Sequence, residues 1–310
     1  MKRIFIDGSA GTTGLRIHER LSGRTDLQLV TLPEELRKDP GARKRMLNEG
    51  CDAAFLCLPD DAAREAVAMI ENPDVVVLDT STAHRTDPRF VYGFPELSPE
   101  RREAVRTAKR IAVPGCHASG FIALVYPLVE AGLIDPGTRL ACFSLTGYSG
   151  GGKKMIAQYE DDELDPLLAA PRQYGLTQEH KHLKEMVHVT GLSAKPVFCP
   201  IVANFYSGME VTVPLFAEDL RGTPADVRAV YAAKYRGPIV RYVSDAGEGG
   251  FLSACALEGL DAMEIFVAGN DERLLLTARY DNLGKGASGA AVECLNLLLG
   301  AEETAGLALQ

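Results

Sequence analysis

Seven cysteines are spread over the 310 residues, and Cys116 stands apart by its surroundings. It lies in Pro114-Gly115-Cys116-His117-Ala118-Ser119-Gly120, after a short β-rich run (residues 111–113) and before a helical pattern (residues 121–131). A thiol at a helix start meets free N–H groups and the positive end of the helix dipole. Both favour the thiolate, and a neighbouring imidazole adds to the effect. The thiolate is the nucleophile, so a covalent catalyst belongs here. Cys51 stands at the entrance to a strand pattern. Cys57, Cys142, Cys199, Cys255 and Cys294 fall inside strand or helix patterns, where Cys acts as a small hydrophobe. Such a catalyst needs a base to form the thiolate and an acid to protonate an oxyanion, and His suits both near neutral pH. His180 and His182 are the candidates. Their spacing puts them on opposite faces of a strand, or splays them on a helix, so one of them is expected to face Cys116, with His180 preferred. No third ligand matches the H-x-H spacing, so no metal is expected.

Residues 3–7 read as a buried strand running into Gly8-Ser9-Ala10-Gly11-Thr12-Thr13-Gly14. A turn this tight calls for positive φ, and a diphosphate close to the backbone leaves no room for Cβ. The helix that follows offers N–H groups to the anion. Gly8, Ser9, Gly11, Thr12, Thr13 and Gly14 are therefore cofactor-binding candidates. A second strand pattern (residues 27–32) is followed by Glu34, Glu35, Arg37 and Lys38. A carboxylate there suits the ribose 2′-OH of NAD, whereas Arg37 and Lys38 suit the 2′-phosphate of NADP. Both kinds are present, so the segment alone does not choose. Ser81 and Arg85 follow a fourth strand pattern (residues 75–79) at its carboxyl end, where open α/β sheets bind ligands. Residues 147–154, rich in glycine and ending in two lysines, offer Ser149 and Lys153 to an anionic substrate.

The elements that must position these groups change rhythm along the chain. Strand patterns at 3–7, 27–32, 53–58, 75–79 and 111–113 alternate with helical patterns, one from 60 to 70 and another opened by Ser98-Pro99. That alternation implies a doubly wound parallel sheet of Rossmann-like α/β type. Beyond residue 115 come longer strand candidates at 139–145, 196–202, 209–215, 239–243, 263–268 and 274–280. The last two flank a Gly269-Asn270-Asp271-Glu272 turn, which favours a mixed or antiparallel sheet in an α+β domain. Helices are expected from Thr223-Pro224 to Arg236 and over 287–299.

Lys plus Arg number 33 against 42 Asp plus Glu, a net charge of −9. This argues against a nucleic-acid or anionic-membrane partner and leaves a small-molecule substrate. The opening Met-Lys-Arg is followed by an apolar run that stops at Asp7, too short for a signal peptide. No stretch approaches the ~20 apolar residues of a membrane helix. An odd cysteine count without a C-x-x-C pair fits free thiols in the cytoplasm.

Taken together, these segments resemble N-acetyl-gamma-glutamyl-phosphate reductase, in its shorter, type 2 form. The resemblance rests on I-A-V-P-G-C-H-A-S-G at 111–120, the turn at 8–14, D-T-S-T-A-H-R at 79–85 and Y-G-F-P-E-L at 92–97. It continues through G-Y-S-G-G-G-K-K at 147–154, H-K-H at 180–182 and D-N-L-G-K-G-A-S-G at 281–289. Longer members of the family carry an aromatic residue and Thr where this chain has His117 and Ser119. The resemblance implies NADPH-dependent reduction of N-acetyl-L-glutamyl 5-phosphate to the 5-semialdehyde, with phosphate released through a Cys116 thioester, in arginine biosynthesis. It implies a semialdehyde/glyceraldehyde-phosphate dehydrogenase-like fold and a homo-oligomer, tetramer or dimer. It also implies that the segment holding Asn282 returns to the cofactor domain near the nicotinamide, which makes Asn282 a cofactor-binding candidate. The expected organisation is a dinucleotide-binding domain, 1–115, completed by a C-terminal helix at 285–310, and a catalytic and oligomerisation domain, 116–284. The alternatives are a sibling acting on aspartyl or aminoadipyl phosphate, and a non-catalytic dinucleotide-binding regulator. An intact Cys116 argues against the regulator.

Overall fold

The computed structural model describes residues 1–310. They divide into two compact units: residues 1–115 with 287–307, and residues 116–286 with 308–310.

The first unit starts with β1 (Lys2–Asp7), α1 (Thr12–Ser22), β2 (Leu27–Val30) and α2 (Pro40–Arg45). It continues through β3 (Ala53–Leu56), α3 (Asp60–Ala68), β4 (Val76–Asp79), β5 (Val91–Tyr92), α4 (Pro99–Thr107) and β6 (Arg110–Ala112). The strands form one sheet in the order β2-β1-β3-β4-β6-β5, with every pair parallel. Strand direction of travel reverses at β1 and β3, and the glycine-rich turn leaves β1 at that switch point, where such sheets bind ligands. Successive side chains of a strand point to opposite faces, so both faces of this sheet are apolar. Ile4 and Ile6 pack with Ile17 and Leu21 of α1 and with Ala291 and Leu295 near the chain's end. Phe5 packs the other way, with Leu47, Leu56 and Ala66. Helix α4 starts as its sequence dictates: Ser98 caps it by accepting from the Arg101 N–H, with Pro99 in the first turn.

The second unit opens with α5 (Cys116–Glu130), β7 (Ala141–Gly147), α6 (Gly152–Tyr159), β8 (Arg172–Gln173) and α7 (His182–Thr190). It continues with β9 (Val197–Ala203), β10 (Met209–Phe216), α8 (Pro224–Lys234), β11 (Val240–Tyr242), β12 (Met263–Gly269) and β13 (Arg273–Tyr280). Its sheet runs β11-β12-β13-β10-β7-β9-β8 and is mixed: β7 lies parallel to β9 and β11 to β12, and the remaining pairs are antiparallel. Helix α8 carries a full capping box between Thr223 and Asp226. It is tied to α5 by Tyr231 and Tyr235, whose hydroxyls donate to the carbonyls of Leu124 (2.5 Å) and Ala123 (2.7 Å). Strand alternation turns Cys142, Ser144 and Val211 inward and leaves Phe143, Val197 and Leu275 exposed on the opposite face.

After β13 the chain passes through a π-turn (Gly284–Ser288) into α9 (Gly289–Leu299), which belongs to the first unit. Several details depart from the sequence reading. The helix expected from residue 121 begins at Cys116, so the thiol sits on the first helical residue. The change of unit falls at Ala287, not 285. Residues 308–310 turn back to the second unit, where the Asp261 N–H donates to the Ala308 carbonyl (2.6 Å) and the Ala308 N–H to Asp261 Oδ2 (2.8 Å). Cys255 lies in a turn and not in a strand or helix. The short pieces β5, β8, α2, α6 and α7 carry too few apolar residues to announce themselves by periodicity.

Candidate active site

Tertiary contacts set the first turn of α5. The Tyr280 hydroxyl, at the end of β13, donates to the Cys116 carbonyl (2.6 Å) and accepts from the Gly120 N–H (3.0 Å). A Cβ on Gly120 would lie 2.7 Å from both that hydroxyl and Val211, and one on Gly286 would lie 3.1 Å from Cys116 Cβ. The two glycines thus let a tyrosine and a turn close on the backbone that carries the thiol. Cys116 itself remains partly exposed.

Two histidines stand near the sulfur, and a third packs against them. Cys116 Sγ, a ring nitrogen of His117 and a ring nitrogen of His182 all lie within 4.8 Å of one another. His182 is the first residue of α7 and is buried. His180 stands just before it, with its Nδ1 accepting the His182 N–H (3.3 Å) and its ring packed 4.8 Å from that of His182. Of the H-x-H pair, His182 brings a ring nitrogen within 4.8 Å of the sulfur. The chain turns into a helix at His182 and packs that helix against α5. His117 is buried, with Nδ1 2.6 Å from Ser144 Oγ and Nε2 2.6 Å from the Tyr174 hydroxyl. Burial lowers the His117 pKa to about 3, helped by the charges of His180 and Lys181. It lowers that of His180 to about 4, with Lys181 the lesser cause. Cys116, His117 and His182 are also donors that a soft divalent metal would take, a set that H-x-H spacing alone did not foreshadow. Both His117 nitrogens are already held by hydroxyls.

The glycine-rich turn of the first unit divides its labour. Gly8 has φ +86°, and a Cβ there would sit 2.2 Å from the Cys57 carbonyl oxygen. A Cβ on Gly14 would meet the Gly8 carbonyl at 2.6 Å. Both glycines are therefore demanded by the turn's own packing. Gly11 is the N-cap of α1, and the nearest atom to a Cβ there is the Gly8 oxygen at 3.4 Å. No side chain caps α1 and no acidic residue lies in its first turn. The N–H groups of that turn are left for an anion, which fits the diphosphate of a dinucleotide. Ser9, Thr12 and Thr13 line this turn half-exposed. Beyond β2, Arg37 and Lys38 are fully exposed, as are Glu34 and Glu35. Arg43 is turned inward instead, against Asp7 at 2.8 Å.

The remaining candidates are placed as follows. Ser81 is buried and donates to Asp79 (2.8 Å), which also holds His84 Nδ1 at 2.6 Å. Arg85 is buried, and its guanidinium donates to the carbonyls of Val113 (2.9 Å) and Thr80 (2.9 Å). These contacts shape the loop after β4. Ser149 is buried and accepts from Asn282 Nδ2 (3.0 Å), while Asn282 Oδ1 accepts the Gly208 N–H (2.9 Å). Asn282 thus ties two loops of the second unit together. Lys153 is exposed in the first turn of α6. Sequence reasoning missed Ser144, Tyr174 and Tyr280. Ser144 and Tyr280 reach the site from strands, and Tyr174 from the loop after β8, all distant in sequence from Cys116, and no local pattern marks them.

The fold belongs to the semialdehyde dehydrogenase class. Residues 31–105 match the family model described as semialdehyde dehydrogenase, NAD binding domain, and residues 116–282 match semialdehyde dehydrogenase, dimerisation domain. Aspartate semialdehyde dehydrogenase II from Vibrio cholerae superposes with a TM-score of 0.70 at 18% identity, over 97% of this chain and 98% of that one. The enzyme from Francisella tularensis gives 0.71 at 12% identity, over 96% of this chain and 100% of that one. Sequence similarity narrows the class. The N-acetyl-gamma-glutamyl-phosphate reductase of Rhizobium meliloti is 46% identical, over 96% of this chain and 99% of its own. The protein called N-acetyl-gamma-glutamyl-phosphate reductase 2 in Nostoc sp. is 43% identical, over 98% of this chain and 99% of its own. The chain belongs to the N-acetyl-gamma-glutamyl-phosphate reductase family. It contains a dinucleotide-binding domain, and no helix is long and apolar enough to cross a membrane.

Proposed function

We propose that this chain reduces N-acetyl-L-glutamyl 5-phosphate to N-acetyl-L-glutamate 5-semialdehyde with release of phosphate, using NADPH, as a step of arginine biosynthesis in the cytoplasm. The observation that carries the reading is a partly exposed Cys116 on the first residue of a helix, with a ring nitrogen of His182 within 4.8 Å of its sulfur.

His182 takes the thiol proton, and the thiolate attacks the acyl carbon. The S–C bond forms, the C–O bond to phosphate breaks, and phosphate leaves with the electron pair. A bound dinucleotide supplies the hydride that reduces the resulting thioester. His182 returns its proton to the carbonyl oxygen as the hemithioacetal forms, then takes the hydroxyl proton back as the C–S bond breaks, the Cys116 thiolate departs and the aldehyde is released. Lys153 offers a cation to the anionic substrate. Gly11, Thr12 and Thr13 hold the diphosphate, and Arg37 and Lys38 the 2′-phosphate of NADPH.

The deciding assay follows phosphate-dependent reduction of NADP with N-acetyl-glutamate semialdehyde, run beside aspartate semialdehyde. Comparable kcat/KM on the two would overturn the substrate assignment. Replacing both Arg37 and Lys38 with Ala is expected to raise KM for NADPH by roughly 10-fold or more, the ~1.4 kcal/mol or more that lost charge-assisted contacts are worth, and to leave KM for NADH unchanged. We further propose a homo-oligomer, at least a dimer, formed through the exposed face of the second unit's sheet around Phe143, Val197 and Leu275.

A further inference from the structure

Beside the thiol lies a chain of three polar groups that the reaction scheme above leaves unused. Ser144 is fully buried on β7, and its hydroxyl has one hydrogen-bond partner, His117 Nδ1 at 2.6 Å. His117 Nε2 in turn has one, the Tyr174 hydroxyl at 2.6 Å. His117 is the point at which this chain departs from the aromatic residue of its longer relatives.

Proton bookkeeping fixes the direction of the chain. A neutral imidazole donates from one nitrogen and accepts at the other. If Nδ1 carried the proton, it would donate to Ser144, and the serine's own O–H would be buried with no acceptor, at a cost of about 1–3 kcal/mol. With the proton on Nε2, Ser144 donates to Nδ1 and Nε2 donates to the tyrosine oxygen, so the O–H left over is that of the half-exposed Tyr174 and not that of the fully buried Ser144. Burial holds His117 neutral at ordinary pH. A protonated ring would reach the same result at Tyr174, since both nitrogens would then donate. In either state the Tyr174 O–H keeps its proton and directs it away from His117. Around the His117 ring stand Cys116 and His182, whose sulfur and ring nitrogen lie within 4.8 Å of a His117 nitrogen, and His180, with its ring centroid 5.8 Å away. Tyr174 packs edge-on against the rings of His117 and His180, and a ring nitrogen of that same His117 lies within 4.8 Å of Cys116 Sγ; burial first, and then charge on Cys116, push the Tyr174 hydroxyl pKa up.

We propose that Ser144, His117 and Tyr174 form a polarised hydrogen-bond relay whose free end, the Tyr174 O–H, donates to the Cys116 thiolate and then to the oxyanion of the hemithioacetal. Tyr174 keeps its proton throughout; it is the catalytic member, and His117 and Ser144 are positioning residues. The oxyanion role rests on the reaction proposed above, whereas the thiolate contact does not. A donor aimed at developing charge in a water-poor site is commonly worth about 10²–10³ in kcat.

The test reads two quantities in Tyr174→Phe: kcat for acyl-phosphate reduction, and the rate of Cys116 alkylation by iodoacetamide as a function of pH. We expect kcat to fall 10-fold or more with little change in KM, and the alkylation midpoint to move to higher pH. His117→Phe is expected to reproduce both changes. His117→Gln, which keeps a donor at the Nε2 position, recovers most of the loss. The double variant His117→Phe/Tyr174→Phe is expected to be no worse than Tyr174→Phe alone. An unchanged alkylation profile in Tyr174→Phe, or additive losses in the double variant, would overturn the relay. Alkylation is read without substrate. A chain that reduces no acyl phosphate yet shows the shifted midpoint would therefore refute the reaction and keep the thiolate contact.

Discussion

Cys116 carries the proposed chemistry because its sulfur alone among seven combines a helix start, partial exposure and nearby imidazoles. Cys51 and Cys57 show the contrast: burial pushes both thiols up to about 12, so they stay protonated and inert. Cys116→Ser is expected to lower turnover by at least ~10⁴-fold, as loss of a nucleophile does, and to leave NADPH binding intact by cofactor fluorescence. The imidazoles also leave a signature in stability. His117 protonates near 3 and His180 near 4 in the folded chain, whereas an unfolded chain protonates its histidines near ~6.5. Between those values the unfolded chain binds more protons, so stability rises with pH across the window and is lost as pH falls below ~6.5. The buried His117 is expected to contribute a loss on the order of 1–3 kcal/mol by pH 4. Thermal melts over pH 4–8 should show an acid limb that is shallower in His117→Gln; identical limbs would refute this assignment.

Among the elements, α5 is where sequence, packing and site meet. Its apolar residues are buried nearly all round, from Ala118 to Leu128, so its rotation is set by packing against β10, β13, α7 and α8. Gly120 and Tyr280 then set its first turn. Gly120→Ala places a methyl 2.7 Å from the Tyr280 hydroxyl and from Val211. The expected cost is ~1–3 kcal/mol of stability, read as a lower Tm, together with a fall in kcat as the Cys116 carbonyl loses its anchor. A variant that melts like the parent would show that the turn has room to relax.

On the scale of the whole molecule, each unit carries its own sheet and its own buried side chains, and the second presents an apolar face. Phe143 is 47% exposed and Val197 58%, on neighbouring strands of that sheet. Aromatic and aliphatic side chains left in water on a flat sheet face mark an association surface. Phe143→Glu is expected to raise the dimer dissociation constant by about 10-fold or more, equivalent to ~1.4 kcal/mol, as read by sedimentation velocity over a concentration series. Unchanged sedimentation would move the interface elsewhere.

Local chemistry made much of this protein legible from its residues in order. The parallel strands follow from short apolar runs spaced by helical patterns, the α4 and α8 starts from Ser98-Pro99 and Thr223-Pro224, and the thiol from its place before an apolar helix. These signals lie within a few residues of one another, where backbone preference and hydrophobic periodicity act. Pairing across the fold is decided otherwise. That His182 comes within 4.8 Å of the sulfur depends on a helix beginning at residue 182 and packing against α5. That Gly8 and Gly14 serve the turn's own packing while Gly11 stays open depends on the neighbouring Cys57 carbonyl. Ser144 and Tyr280 reach the first turn of α5 from two different strands, and Tyr174 from the loop after a third. Contacts of that kind arise only when sheet register and helix packing bring distant residues to hydrogen-bond range, and no pattern within one stretch of chain encodes them.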